Sequence, residues 1–246
     1  MFLFQRRLYA SFAPERPQDI KNILKPLGLV NLPKSTTEIK KKTFKEKKAD
    51  FLDLEKNRAR REELKNEFFK SSFEHIYNFR HTGGKIFHSP KHMFNKESSL
   101  YMPNIRGIRI DDNTKMSVPL FQLLSKTKPN IIKLFSSVAG KKQIDNYTTG
   151  LSSNEVNMIE INSPTSWMNR FLVKLFSGKI RKATDSKYLI AEEKLTPEIV
   201  EALYAFNDLA GYLYLVDGNA KIRWATSGPP SDEEKQKFQK FLKQLE

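Results

Sequence analysis

Apolar positions are distributed in two ways along this chain: dense short runs after about residue 100, and single residues scattered among charges before residue 80. The densest run is Tyr212 to Val216, which has no polar face, so a strand there must be covered on both sides. Asp217-Gly218-Asn219 follows with residues that accept positive φ, and Lys221 to Ala225 then alternates Lys221, Ile222, Arg223, Trp224 with one face for water. This pattern predicts a β-hairpin whose first strand is interior and whose second lies at or near a sheet edge. Helices are predicted on either side of it, Pro197 to Leu209 behind Thr196 as N-cap, and Asp232 to Leu245. Upstream, Tyr101 to Gly107 reads as an extended segment with a turn and Leu120 to Leu124 as a short helical turn. Asn130 to Phe135 is a buried strand stopped by Ser136-Ser137, Val156 to Ile161 a second strand, Pro164 to Phe176 an amphipathic helix, and Tyr188 to Ile190 a third strand or short extended piece.

Strand, helical loop, strand, helix, possible strand, helix, hairpin, helix is the layout of a thioredoxin-like domain: α/β, a mixed sheet flanked by helices, placed at residues 100–246. In that layout the helix start after Asn130–Phe135 would carry a reactive CxxC. Ser136-Ser137-Val138-Ala139-Gly140 stands there instead. The proline that precedes the hairpin in redox members is replaced by Asp208-Leu209-Ala210-Gly211.

Ahead of this domain the pattern changes. Residues 14–34 hold four prolines and Gly28 among short apolar pieces and read as an extended arm. Ser35-Thr36-Thr37-Glu38 is a capping box, and the absence of proline or glycine before Gly83-Gly84 predicts a long charged helix over 35–82, with residues 83–99 as a connector. Its apolar stripe is too narrow for a globular core along its whole length. The basic groups Lys40, Lys41, Lys42, Lys45, Lys47, Lys48 and Arg58, Arg60, Arg61 offer a phosphate-binding surface for RNA or anionic lipid. Interleaved acids such as Glu46, Asp50 and Asp53 favour a solvated helix for most of it. Residues 1–13 carry Arg6 and Arg7 with Phe2, Leu3, Phe4 and Leu8 and no acid, the composition of a mitochondrial transit peptide, and Arg7 to Ser11 resembles the processing site of one.

Composition narrows the chemistry. A net charge of +15 favours an acidic partner such as nucleic acid or an anionic membrane surface. With no cysteine, disulfide exchange, thiolate metal sites and a cysteine nucleophile are excluded. His75, His81, His88 and His92 share one window, but Pro90 interrupts the i,i+4 pair of His88 with His92, so a polar connector is preferred over a metal site. Serine hydrolysis through Ser136 or Ser137 lacks a nearby base, no Gly-rich phosphate loop is present, and no apolar run of about 18 residues exists to span a membrane. Neither a cofactor, a metal nor a small-molecule substrate is expected.

Met102-Pro103-Asn104-Ile105-Arg106-Gly107, Lys133-Leu134-Phe135-Ser136-Ser137, Ser166-Trp167-Met168-Asn169-Arg170-Phe171-Leu172 and Gly211 to Gly228 with Pro229 to Glu234 together resemble the fungal mitochondrial assembly factors of the ATP synthase membrane sector. The resemblance implies a non-enzymatic chaperone, peripheral on the matrix side of the inner membrane, whose client is newly made subunit a before it joins the subunit c ring. Trp167, Phe171 and Leu175 have the spacing of a core-facing stripe, which leaves Arg170 and Lys174 outward as partner contacts. Pro103, Asn104 and Gly107 are candidate loop contacts, and Arg223 and Trp224 candidate edge-strand contacts, with turn formation and closure of the sheet as the respective alternatives. The competing functional reading is a basic protein that binds mitochondrial RNA or ribosomes on the same scaffold; with no recognisable RNA motif, nucleic acid is not the expected partner.

Overall fold

The computed structural model describes residues 19–33, 73–112, 116–152, 154–183 and 185–245. The transit peptide, the capping box at Ser35 and nearly all of the long charged helix lie outside the described residues. The chain divides into two compact units, residues 1–18 with 36–78, and residues 19–35 with 79–246. Residues 73–81 form α1, which stops before Gly83-Gly84 with the Gly84 amide bonded to the Phe79 carbonyl at 2.8 Å.

The second unit is built on a seven-stranded mixed sheet, counted among the described residues. Its elements are β3 (Arg106–Arg109), β4 (Ser117–Pro119), a 3-10 turn (Leu120–Leu123), β5 (Asn130–Phe135), α2 (Val138–Thr148), β6 (Asn157–Asn162), α3 (Trp167–Leu175), α4 (Ser177–Ala183), β7 (Lys187–Ala191), α5 (Pro197–Leu203), β8 (Tyr212–Val216), β9 (Ile222–Ser227) and α6 (Asp232–Lys243). A small parallel pair, β1 (Lys21–Asn22) with β2 (Phe87–His88), forms a separate two-stranded sheet. The strand order is β4-β3-β7-β6-β5-β8-β9, with β5, β6 and β7 parallel and the remaining pairings antiparallel. A parallel β-α-β pair followed by an antiparallel hairpin and a closing helix is the thioredoxin-like arrangement.

Alternation along the buried strands sorts the core into two sides. Ile131, Phe135, Leu213 and Leu215 pack with Ile144 and Tyr147 of α2 and Phe238 and Phe241 of α6. On the other side, Ile132, Leu134, Tyr212 and Tyr214 pack with Leu203 of α5, Leu120 and Leu123 of the 3-10 turn, and with Ile23, Leu27, Phe87 and Met102. Residues 19–33 are therefore extended but bound into the same folded unit as the sheet, and that unit reaches upstream of residue 100.

Several local readings need correction. The turn after β8 places its positive φ at Ala220 (62°), because the Asp217 carboxylate accepts from the amides of Asn219 (2.9 Å) and Lys221 (3.0 Å) and closes the turn by itself. Gly218 serves a different need: a Cβ there would lie 2.9 Å from the Lys126 carbonyl oxygen. Helix α5 ends at Leu203, well short of Leu209, since Tyr204 turns left-handed and the Asn207 amide is held by the Tyr212 hydroxyl at 2.8 Å. Helix α4 had no counterpart in the sequence pattern.

The β9 edge is not open. The Phe94 amide donates to Arg223 (2.8 Å), the Ile222 amide to Leu100 (2.9 Å) and the Met102 amide to Ala220 (2.8 Å), while Ser227 Oγ accepts from the amides of Ile86 and Phe87. Only Arg223 along β9 keeps partial exposure, so the water-facing side read from alternation is covered by residues 86–102.

Two buried features hold this arrangement. Gly140 of α2 crosses the start of β8 so closely that a Cβ on Gly211 would sit 2.1 Å from the Gly140 carbonyl oxygen. Glu234, capping α6 from inside, accepts from Lys85 Nζ (2.5 Å), Tyr147 OH (3.0 Å) and the amides of Ser89 (3.1 Å) and Ser231 (3.2 Å). Burial pushes its pKa up, but the Lys85 ammonium and these amides outweigh burial and hold it below the ordinary 4.5.

Gly211→Ala is expected to cost about 1–3 kcal/mol, read as a lower denaturant midpoint at unchanged slope. Glu234→Gln is expected to cost about 3–5 kcal/mol, since it leaves Lys85 buried without its counter-charge. The wild-type contribution is complete above pH 4.5 and is lost as pH falls through the lower folded-state value. Denaturant unfolding across acid pH should therefore show a steeper loss in the wild type than in E234Q.

Candidate functional site

The carboxyl ends of β5 and β6 lie side by side, with Phe135 paired to Asn162, and a cleft opens beyond them as it does in open α/β sheets. Its volume is about 680 Å³. Ser136, Ser137 and Val138 at the start of α2 form one wall, Leu172, Val173 and Phe176 of α3 another, and Leu209, just before β8, closes the end. The mouth is apolar and open: Val138, Leu172 and Phe176 are 75%, 41% and 48% exposed.

Ser137 ties the two loops of the site together. Its hydroxyl accepts from the Gly140 amide (2.8 Å), capping α2, and donates to the Leu209 carbonyl (2.7 Å). A hydroxyl whose proton is given to a backbone carbonyl is not poised to attack, and no histidine lines the cleft among the described residues. No cis peptide bond occurs among the described residues, so the Asp208–Gly211 turn is all-trans.

Beneath the apolar mouth lies a charged floor. Lys133 Nζ sits 2.7 Å from Asp145 and 3.8 Å from Glu160, and Lys141 Nζ is 3.0 Å from Asp145 and 2.8 Å from Glu160. Lys133 and Glu160 are buried, whereas Lys141 and Asp145 reach the surface. Burial works against charge at both outer members, but pairing prevails: Glu160 and Asp145 raise the Lys141 pKa, and Lys133 and Lys141 lower that of Asp145. Asn162 donates to the Tyr188 hydroxyl at 2.9 Å, and burial pushes that phenol well above its ordinary value.

The residues singled out from the sequence fall in three separate places. Pro103 is buried, Asn104 accepts from the Phe121 amide (3.1 Å), and Gly107 is buried in β3 between β4 and β7, so this motif builds strands and a turn. Trp224 is fully buried against Phe238 and Phe241, with its indole donating to the Pro90 carbonyl at 3.2 Å. Arg223 donates to the Phe94 carbonyl (2.9 Å) and lies 3.6 Å from Asp217. Trp224 thus closes the sheet against the last helix, the alternative weighed against an edge contact, and Arg223 closes it onto the segment around Phe94. Arg170 donates to the Glu192 carbonyl, while Lys174 is exposed on α3 beside the cleft.

The core-facing reading of α3 is also corrected. Phe171 and Leu175 are 59% and 63% exposed, because α3 meets the domain through Val173, with Ile180 of α4 beside it; the side chain of Trp167 is not among those described. The groove walls at Val138, Leu172 and Phe176 were missed. The available signal was that Phe171, Leu172, Val173, Leu175 and Phe176 put apolar residues all round the helix, more than one buried stripe requires. His88 and His92 line a second, more polar cleft of about 840 Å³ with Glu233 and Lys237.

Fold and site together define a thioredoxin-like domain that has no thiol and carries an apolar groove where the dithiol layout would put one. The family described as ATP10 protein matches residues 8–245, and the chain belongs to that family. Over 98% of its length it is 27% identical to the mitochondrial ATPase complex subunit ATP10 of Saccharomyces cerevisiae, covering 92% of that protein. It is 28% identical to the probable mitochondrial ATPase complex subunit atp10 of Schizosaccharomyces pombe, with 96% and 89% covered. Among solved structures, the thioredoxin domain of a thiol-disulfide oxidoreductase from Bacteroides vulgatus aligns with 58% of this chain and 95% of its own at TM-score 0.39 and 15% identity. A thiol-disulfide isomerase from Corynebacterium glutamicum aligns with 61% and 97% at TM-score 0.44 and 12% identity.

Lys133→Met should cost about 3–5 kcal/mol, because it leaves Glu160 buried beside a single half-exposed cation. Lys141→Met should cost about 1 kcal/mol or less. Paired chemical denaturation curves read this contrast directly.

Proposed function

We propose that this protein is a non-enzymatic assembly chaperone for the membrane sector of mitochondrial ATP synthase, peripheral on the matrix side of the inner membrane. Its client is newly made subunit a, held until it joins the subunit c ring. Membership of the ATP10 protein family and the names of the relatives, mitochondrial ATPase complex subunits, support the setting. The observation that carries the mode of action is the groove, whose walls are apolar and open and whose place in the fold lacks the thiol of a redox enzyme. A membrane subunit awaiting its neighbours exposes apolar helix surface, and an open groove of this size shields several side chains without chemistry. No helix among the described residues is long and apolar enough to cross a membrane.

A photo-crosslinking residue at Leu172, with exposed Asn146 as the control position, tests this in mitochondria whose translation products are pulse-labelled. An adduct to subunit a from Leu172 and none from Asn146 is expected. Adducts to ribosomal components alone, or no labelled adduct from correctly folded protein, would overturn the assignment in favour of the ribosome-associated reading or neither.

A further inference from the structure

Helices α3 and α4 carry more apolar surface than the domain uses. Val173 and Ile180 pack into the core, and Leu172 and Phe176 line the groove. Phe171 and Leu175, one helical turn apart, belong to neither, and their exposures of 59% and 63% place two large side chains in water on the remaining side.

The charge within the segment that forms this side has one sign. From residue 161 to residue 184 the sequence contains Arg170, Lys174, Lys179, Arg181 and Lys182 and no Asp or Glu. Lys174 and Lys179 are exposed, and Lys179 Nζ lies over the Phe176 ring, 5.6 Å from its centre.

We infer that this face of the α3–α4 pair seats on an anionic phospholipid bilayer, with Phe171 and Leu175 entering the boundary between headgroups and acyl chains and Lys174 and Lys179 meeting phosphates. Large apolar side chains beside long cations, on a helix of the protein surface, are the composition of an interfacial element. An acidic protein partner fits less well, because the rim of a protein interface mixes signs and hydrogen-bonding groups, and this rim is cationic. A fluid layer of phosphates needs no matched geometry, which suits flexible lysines. The inference takes its cellular setting from the peripheral placement proposed above, but the surface property stands apart from the client and is measured without it.

Flotation of the full chain with vesicles of phosphatidylcholine, and of phosphatidylcholine with cardiolipin, provides the test. The wild type should float with the second and not the first, and added salt should weaken it. Phe171→Ser with Leu175→Ser should lower the bound fraction about tenfold or more. Lys174→Glu should lower it without touching the apolar pair. Both sites are exposed, so unfolding midpoints should stay at the wild-type value, and hydrogen exchange of the wild type should slow over residues 167–183 when cardiolipin vesicles are added. Wild-type protein that stays unbound, or a double variant that floats as well as wild type because residues 40–61 hold the vesicles, would overturn the proposal. Slowing of exchange over 167–183 only on addition of an acidic protein would overturn it as well. Loss of vesicle binding with subunit a crosslinking from Leu172 intact would leave the chaperone reading standing by itself.

Discussion

Strand β8 has no side on which water is tolerated, and this constraint shapes the molecule. Leu213 and Leu215 face α2 and α6, and Tyr212, Tyr214 and Val216 face the opposite way. Two tyrosines survive there because their hydroxyls are spoken for: Tyr214 donates to the Leu203 carbonyl at 2.8 Å and Tyr212 to the Asn207 carbonyl at 3.0 Å. Burial drives both phenols far above their usual range, so neither ionises in the folded protein. Helix α5 alone is too short to roof that side. The remainder of the roof comes from Ile23, Leu27, Phe87 and Met102, which is why segments far ahead of the sheet are folded onto it.

Elements whose burial is complete were legible from residues alone. Asn130–Phe135 and Tyr212–Val216 have the predicted limits, since short runs, wholly apolar in the second and broken by Asn130 and Lys133 in the first, bounded by Pro129, Ser136, Gly211 and Asp217 leave little freedom. The cap at Thr196 was equally plain, and its hydroxyl accepts the Ile199 amide of the first turn. What stayed hidden depends on neighbours distant in sequence. Nothing local to Phe87 or Ile23 announces a place under β8, and nothing local to Arg223 announces the Phe94 carbonyl that it meets. The groove was legible only as a missing dithiol; its walls depend on how α3 rotates about Val173, which periodicity does not fix.

The same scaffold logic explains the site. A thioredoxin-like domain places a helix start, a turn before the hairpin and two strand ends around one point. With serine at that point, Ser137 joins the turn to the helix and becomes structural. The charged floor of Lys133, Asp145, Lys141 and Glu160 is internally compensated, which leaves the apolar mouth as the part of the site available to another molecule.

The treatment of the sheet's two margins has a further consequence. Along β9 the backbone of residues 86–102 already satisfies outward-pointing groups, and at the other margin β4 is three residues long and ends in Pro119. Among the described residues, neither margin of the seven-stranded sheet offers a long ladder for an extended polypeptide to lengthen, which disfavours strand addition and edge-to-edge self-association there. Along β9 that protection is supplied by the segment that also completes the interior.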